Sequence, residues 1–497
     1  MLAKDQPHSG AAASNGGAAR PPASIDFPTL DGLPPLAGLC TPEQAMDPGL
    51  TVAESVQRLK REHYLLRRLA ECWLARLTAE PVYELKMAYS LHAHLATEHA
   101  GAIRSRVAEM RTPPLGLEEV PHPALERLLD ETRSAPDTPA LLRAVYQVVL
   151  PALIDCMRRH REDTHALADQ PTRRLLRFAL LELEEALDYG HRAVECLAAA
   201  EPAAATDDWL QLLRDCITAA GGIDGTGETS DLAPPRRHSR QPLALEKSPR
   251  RDDRFPDPYN MGVHAEQFLN DPGFAERDKV LMMYYKRLRE IDVPEMMATI
   301  LIESPDKPFG FHRDMTRQLW DEARHAMMGE VGFRSLGIDW PRFVMVNFTW
   351  SKGLNEQLTA RERHAVLYFI EQGLMTRTGK RFEWELGRDS GDRLAELFQD
   401  FDWADEVLHA RIGRDWYTSG FESQKDAIDY GSECWDKVLI NWDQWKAEGL
   451  TEHRNWWPDL YREASRLRGE TPDPKTLAFS TTYEQTRADL KAIAANA

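Results

Sequence analysis

The sequence predicts an all-α protein built from two helical bundles, and three observations predict it. Long stretches rich in Ala, Leu, Glu and Arg carry the apolar period of an amphipathic helix. Glycine is scarce, at 29 of 497 residues. Eight long helical patterns fall four on each side of a Gly- and Pro-rich stretch, and four is the helix count of a bundle.

In chain order, residues 1–45 read as a flexible tail, because the first 35 mix Gly, Ala, Ser and Pro without the apolar core of a signal peptide. Residues 46–218 form the N-terminal helical bundle, with helices expected at about 51–80, 82–111, 139–161 and 171–200. The segment 219–272, including "GGIDGTGETSDLAPPRRHSRQPLALEKSPRRDDRFPDP", loses the helical period and reads as a linker or extended crossing. A second bundle follows over 273–420, with helices at about 276–303, 311–336, 359–385 and 391–417. Residues 421–497 are a Trp-rich helical extension expected to pack across that bundle.

Bulk properties exclude several classes. A net charge of −18 argues against a broad nucleic-acid surface. No run of about 18 apolar residues appears, so no membrane span is expected. The six cysteines are scattered without a C-x-x-C pair, which fits reduced thiols in a cytoplasmic protein rather than a disulfide framework. The two halves also resemble each other weakly. Glu71 and Glu295 each precede a Pro by ten residues, and His99 and His325 follow at similar distances, as a duplication would leave them.

The chemistry concentrates in the second bundle. "LWDEARHAMMGE" carries Glu322 and His325 one helical turn apart, and "WADEVLHARIGRDW" repeats the spacing with Glu406 and His409. Residues at i and i+3 share a helix face, so carboxylate and imidazole can reach one metal pair. "HAVLYFIEQGLM" places Glu371, and "VPEMMATILIES" places Glu295, in apolar runs where an unpaired charge is costly. In antiparallel helices, residues equidistant from a turn lie level. Glu371 and Glu406 are equidistant from "GRDSGD", and Glu295 and Glu322 from "SPDKPFG". Four carboxylates and two imidazoles are thus expected at one depth, a donor set that suits iron or manganese.

This pattern, one Glu from each of two helices and Glu-x-x-His from two others, resembles the ferritin-like di-iron carboxylate superfamily, which includes ribonucleotide reductase small subunits, bacterial multicomponent monooxygenases and ferritins. The resemblance covers about residues 276–417 and implies a ferritin-like four-helix bundle preceded by a degenerate, related one. It implies metal ligands Glu295, Glu322, His325, Glu371, Glu406 and His409, holding two iron ions or a manganese–iron pair. The implied activity is a non-haem di-iron oxygenase or oxidase that hydroxylates, desaturates or N-oxygenates a small organic substrate with O₂. An electron-donating reductase would serve it, and a homodimer is open. An iron-storing protein and a non-catalytic helical interaction protein are the rival readings.

Individual positions carry alternatives. Glu295 follows Pro294 near a helix start, so Glu290 or Glu303 can replace it as ligand. Asp321 and Asp405 each precede a ligand Glu and can orient the imidazoles. His364, seven residues before Glu371, can share its face but reads as a solvated or capping histidine, and Tyr368, one turn from Glu371, can be a redox tyrosine but reads as a core residue. Met296, Met297, Trp320, Phe369 and Trp403 are candidates for a cavity wall. In the N-terminal half the equivalent positions are Glu71, Ala96, His99, Leu150, Glu185 and Asp188. Ala96 and Leu150 cannot bind metal, so that half reads as scaffold or lid, and His92, His94 and His99 share no single face.

Overall fold

The computed structural model describes residues 28–110, 116–197, 204–438 and 442–486. The tail expected over 1–45 therefore lies outside the described residues up to 27. Among the described residues all extended regular structure is helical, and β pairing is limited to two isolated bridges, Ala220 with Thr229 and Val263 with Thr482.

The first half comprises α1 (Val52–Leu77), α2 (Tyr83–Met110), α3 (Pro123–Arg133), α4 (Thr138–Asp163), α5 (Gln170–Leu197) and α6 (Ala204–Ala219). Thr51 and Glu54 form a reciprocal capping box at the start of α1, which satisfies backbone N–H groups that the first turn leaves open. α4 contains a π-helical turn over Val145–Val149, from which Tyr146 reaches Trp73 and His92. By length and composition α4 is apolar enough to cross a membrane, yet 72% of its most apolar window is buried here. It serves as a core helix. The sequence reading missed α3 and α6, whose patterns are short and interrupted.

The second half comprises α7 (Glu276–Arg289), α8 (Asp292–Ile302), α9 (Phe309–Ser335), α10 (Ala360–Leu374), α11 (Lys380–Ser390) and α12 (Arg393–Tyr417), followed by α13 (Gln424–Asp436) and α14 (Trp457–Arg468). Two helices expected as continuous are broken. The pattern at 276–303 divides at Glu290–Ile291, because Pro294 has no N–H for the carbonyl of Glu290 and disfavours helix before it. The pattern at 359–385 divides at Met375–Gly379. A Cβ on Gly379 would stand 2.2 Å from the carbonyl oxygen of Leu374, so only glycine allows that return.

The halves are not separate cores. One continuous hydrophobic cluster runs from Leu65, Leu69 and Trp73 in α1 to Met297 and Ile300 in α8 and Met315 and Leu319 in α9. A second lies around α7 and α14, with Tyr284, Tyr285, Trp456 and Trp457.

The segment 219–272 crosses between the halves with one short helix, Ala265–Asn270, and is fixed by buried charge. Glu131 of α3 accepts hydrogen bonds from the backbone N–H groups of Arg237 (2.7 Å), His238 (2.9 Å) and Ser239 (3.0 Å), from the Ser239 hydroxyl and from the Trp209 indole. Burial opposes its charge, but these donors outweigh it and hold its pKa at about 2, below the ordinary 4.5. A depressed carboxylate pKa stabilises the fold fully above its ordinary value, and the contribution fades as pH falls from 4.5 towards 2. Glu131→Gln is expected to cost about 2 kcal/mol at neutral pH. Urea denaturation at pH 7 and at pH 3 checks this: the gap between wild type and variant should narrow at the lower pH.

Candidate metal centre

Three helices and one break between helices bring acidic and imidazole groups to one place. α9 contributes Glu322 and His325, α10 contributes Glu371, α12 contributes Asp402, Glu406 and His409, and Glu290 comes from the break after α7. The donor atoms fall into two groups that share Glu406: Glu322, Glu371, Glu406 and His409, and Glu290, His325, Asp402 and Glu406. Within each group the donor atoms lie within 4.8 Å of one another.

Both imidazoles present Nδ1 to the carboxylates. His409 Nδ1 lies 3.2 Å from Glu322 and 3.5 Å from Glu406, and His325 Nδ1 lies 3.3 Å from Glu290 and 3.4 Å from Asp402. Glu322 stands between the rings, with its other oxygen 3.7 Å from His325 Nδ1. The opposite ring nitrogens are held crosswise. Asp321 of α9 lies 3.4 Å from His409 Nε2 on α12, and Asp405 of α12 lies 3.1 Å from His325 Nε2 on α9. Arg324 donates to both aspartates, at 2.6 and 2.7 Å, and Arg317 donates to Asp321. An Nε2–H donated to a carboxylate fixes the tautomer that leaves Nδ1 a free donor atom.

The geometry fits a metal. His325 Nδ1, His409 Nδ1 and one carboxylate oxygen each of Glu290, Glu371 and Glu406 are buried without a hydrogen-bond partner. Five such atoms around one place would be costly unless a cation satisfied them. The electrostatics agree. Burial pushes the pKa of Glu371 well up, and the carboxylates of Glu406 and Glu322 push it further. Burial opposes charge on His325 and His409, yet the surrounding carboxylates hold both well above the ordinary imidazole value. These protons must leave when a metal enters, so affinity falls as pH falls.

Of the six ligands read from the sequence, Glu322, His325, Glu371, Glu406 and His409 meet here and Glu295 does not. Glu295 accepts from Lys86 of α2 at 2.5 Å, from Arg251 of the crossing segment at both oxygens, and from Ser351 at 3.1 Å. The break before Pro294 restarts the helix in a different phase, turning Glu290 to the cluster and Glu295 away. Glu303, the other alternative, pairs with Arg363 and Lys247 at the end of α8.

Asp402 and Lys380 were missed. Asp402 was legible, since 402, 406 and 409 follow the i, i+4, i+7 face of one helix. Lys380 was not, because only the break at Gly379 directs it inward. Its Nζ lies 2.9 Å from Asp402 and 2.8 Å from Glu406, and Arg287 pairs with Asp402 as well.

His364 is buried against Phe311 and Tyr417, and Tyr368 packs on Tyr417; neither joins a donor group. In the N-terminal half His99 pairs with Glu182, Glu71 with Arg68, and His92 with Tyr146, while Glu185 and Asp188 are exposed. Among the described residues both donor groups lie in the C-terminal half.

A cavity of about 400 Å³ adjoins the cluster. Glu290, Glu322, Glu371 and Glu406 form one wall together with Lys380. Met296, Leu354, Ile370 and Leu374 supply an apolar wall, and Trp350 and Trp435, stacked 4.7 Å apart, close another side. Of the residues expected to line a cavity, Met296 does so, whereas Met297, Trp320, Phe369 and Trp403 do not line this one. No family model, curated protein or solved structure matches the chain. What the site can do follows from its own donor atoms.

Glu406→Ala and His325→Ala are expected to reduce bound metal sharply, and Glu406→Ala to do so with little change in helical content, because removing one of several mutually repelling carboxylates also removes its desolvation cost. Glu295→Gln should do the reverse. It keeps the metal and lowers stability by about 3 kcal/mol, since Lys86 and Arg251 lose a buried partner. Metal analysis beside thermal melting distinguishes the two classes. Asp321→Asn should weaken metal binding by about 10- to 100-fold, read by competition with a chelator.

Proposed function

We propose that this chain is a non-haem di-iron oxygenase or oxidase of the ferritin-like kind, with a manganese–iron pair as the alternative metal content. It would hydroxylate, desaturate or N-oxygenate a small organic substrate. The observation that carries this reading is the cavity of about 400 Å³ bordered by ligands from both donor groups. An iron store needs a path for ions. A substrate needs a largely apolar space beside the metal, and this partly open cavity offers one.

Oxygen donors with two imidazoles and no thiolate suit iron or manganese in this role. Iron, when bound, would supply the electrons that reduce O₂; putting one oxygen atom into a substrate C–H or N–H bond and releasing the other as water takes two electrons, which an external reductase would provide, and two protons from solvent. The chain's own part is positional. Glu322 and Glu406 would hold the metal with the other donors, and Asp321 and Asp405 would orient the imidazoles. Met296, Ile370, Leu374 and the Trp350–Trp435 stack exclude water from the reacting end. Asp292 lines the same space with one buried carboxylate oxygen lacking a partner, an acceptor for a substrate N–H or O–H.

The test is a ferrous titration. Anaerobic protein should saturate at two ions per chain. On exposure to air it should react with O₂ once and then require reductant to consume more. Continued ferric absorbance far beyond two equivalents would instead mark a store, and no bound iron would leave only a structural role.

A further inference from the structure

The two donor groups are not equivalent, and the difference is Lys380. This side chain is fully buried, and its Nζ lies 2.9 and 3.0 Å from the two oxygens of Asp402, 2.8 Å from Glu406 and 3.5 Å from Glu290. Those are the three carboxylates of the group completed by His325. Arg287, also fully buried, adds a second positive charge to Asp402. The group of Glu322, Glu371, Glu406 and His409 is different. Glu322 and Glu371 meet no lysine or arginine among the described ion pairs; their charged partners are the two histidines. Glu371 is otherwise held by the neutral amide of Gln318 at 2.9 Å. Three carboxylates there face no fixed cation except through the shared Glu406, while three in the other group face two.

We propose that Lys380 holds the place of the second metal ion, so that the two positions fill in order. The first ion enters at Glu322, Glu371, Glu406 and His409, and the second enters at Glu290, His325, Asp402 and Glu406 only as the ammonium swings aside. This rests on the metal reading above.

Two features make the movement feasible. Lys380 is the first residue of α11, so its side chain leaves from a helix end rather than from between packed turns. It also lines the cavity, so a displaced ammonium has space beside the site. The ammonium keeps its proton throughout; what changes is which oxygens it contacts. A cation bound to Asp402 and Glu406 would stand within a few ångströms of the present Nζ position, where like charges repel strongly at low effective dielectric. The device keeps the cluster from being left uncompensated when only one ion is bound.

Titration of the metal-free full-length chain with Mn(II), followed by electron paramagnetic resonance, tests this. The wild type should show an isolated-ion signal up to one equivalent. A second, weaker step should then convert it to the signal of a coupled pair. In Lys380→Met the second dissociation constant should fall by about 100-fold, so that coupled pairs form from the first addition. Coupled pairs from the first equivalent in the wild type would overturn the proposal without any variant, whatever the folding of Lys380→Met. Unchanged second-site affinity in a folded Lys380→Met would overturn it too. A wild-type chain that binds no Mn(II) or Fe(II) at all would remove the metal reading itself, a separate failure from ordered filling.

Discussion

Mutual repulsion among five carboxylates, four of them buried, dominates this molecule. Glu290, Glu322, Glu371, Asp402 and Glu406 lie in the C-terminal half with two imidazoles among them; all but the partly exposed Glu290 are buried. Such a cluster is unstable unless cations enter it. The protein supplies Lys380 and Arg287 from its own chain, raises the proton affinity of His325, His409 and Glu371, and leaves several donor atoms unpartnered. The surrounding helices hold these groups together against that repulsion.

The rest of the architecture reads as the means of holding them. Asp321 and Asp405 each hold the histidine on the other's helix, so α9 and α12 cannot slide past one another without breaking both contacts. Arg324 ties the two aspartates together. Further out, Glu295 joins Lys86 of the first half, Arg251 of the crossing segment and Ser351 beside the cavity. The first half thereby contributes a buried charge next to the site without a ligand of its own. Ala96 and Leu150 of the first half are buried apolar residues, in keeping with a part that braces the helices of the cluster.

The cavity has the acidic cluster along one wall and apolar side chains along another. Its aromatic wall draws Trp435 from the C-terminal extension against Trp350, so residues far apart in the chain close one chamber. Lys380 sits at the junction of cluster and cavity, in contact with both. A movement of this one side chain would therefore alter the acidic cluster and the shape of the cavity together.

The sequence by itself determined the helical class, most of the long helices to within a few residues, and five of the cluster's side chains. These follow from periodicity, because i, i+3 and i+4 spacing fixes which residues share a helix face wherever the helix runs unbroken. The same rule reaches Asp402 from Glu406. It fails where a helix breaks, since a break resets the phase and periodicity says nothing of the new direction. Pro294 restarts α8 so that Glu290, not Glu295, faces the cluster, and Gly379 turns the chain so that Lys380 enters it. Tertiary structure also decided what Glu295 meets, because Lys86 and Arg251 approach it from elements more than forty residues away. Local pattern specifies a face; only packing specifies what stands opposite it.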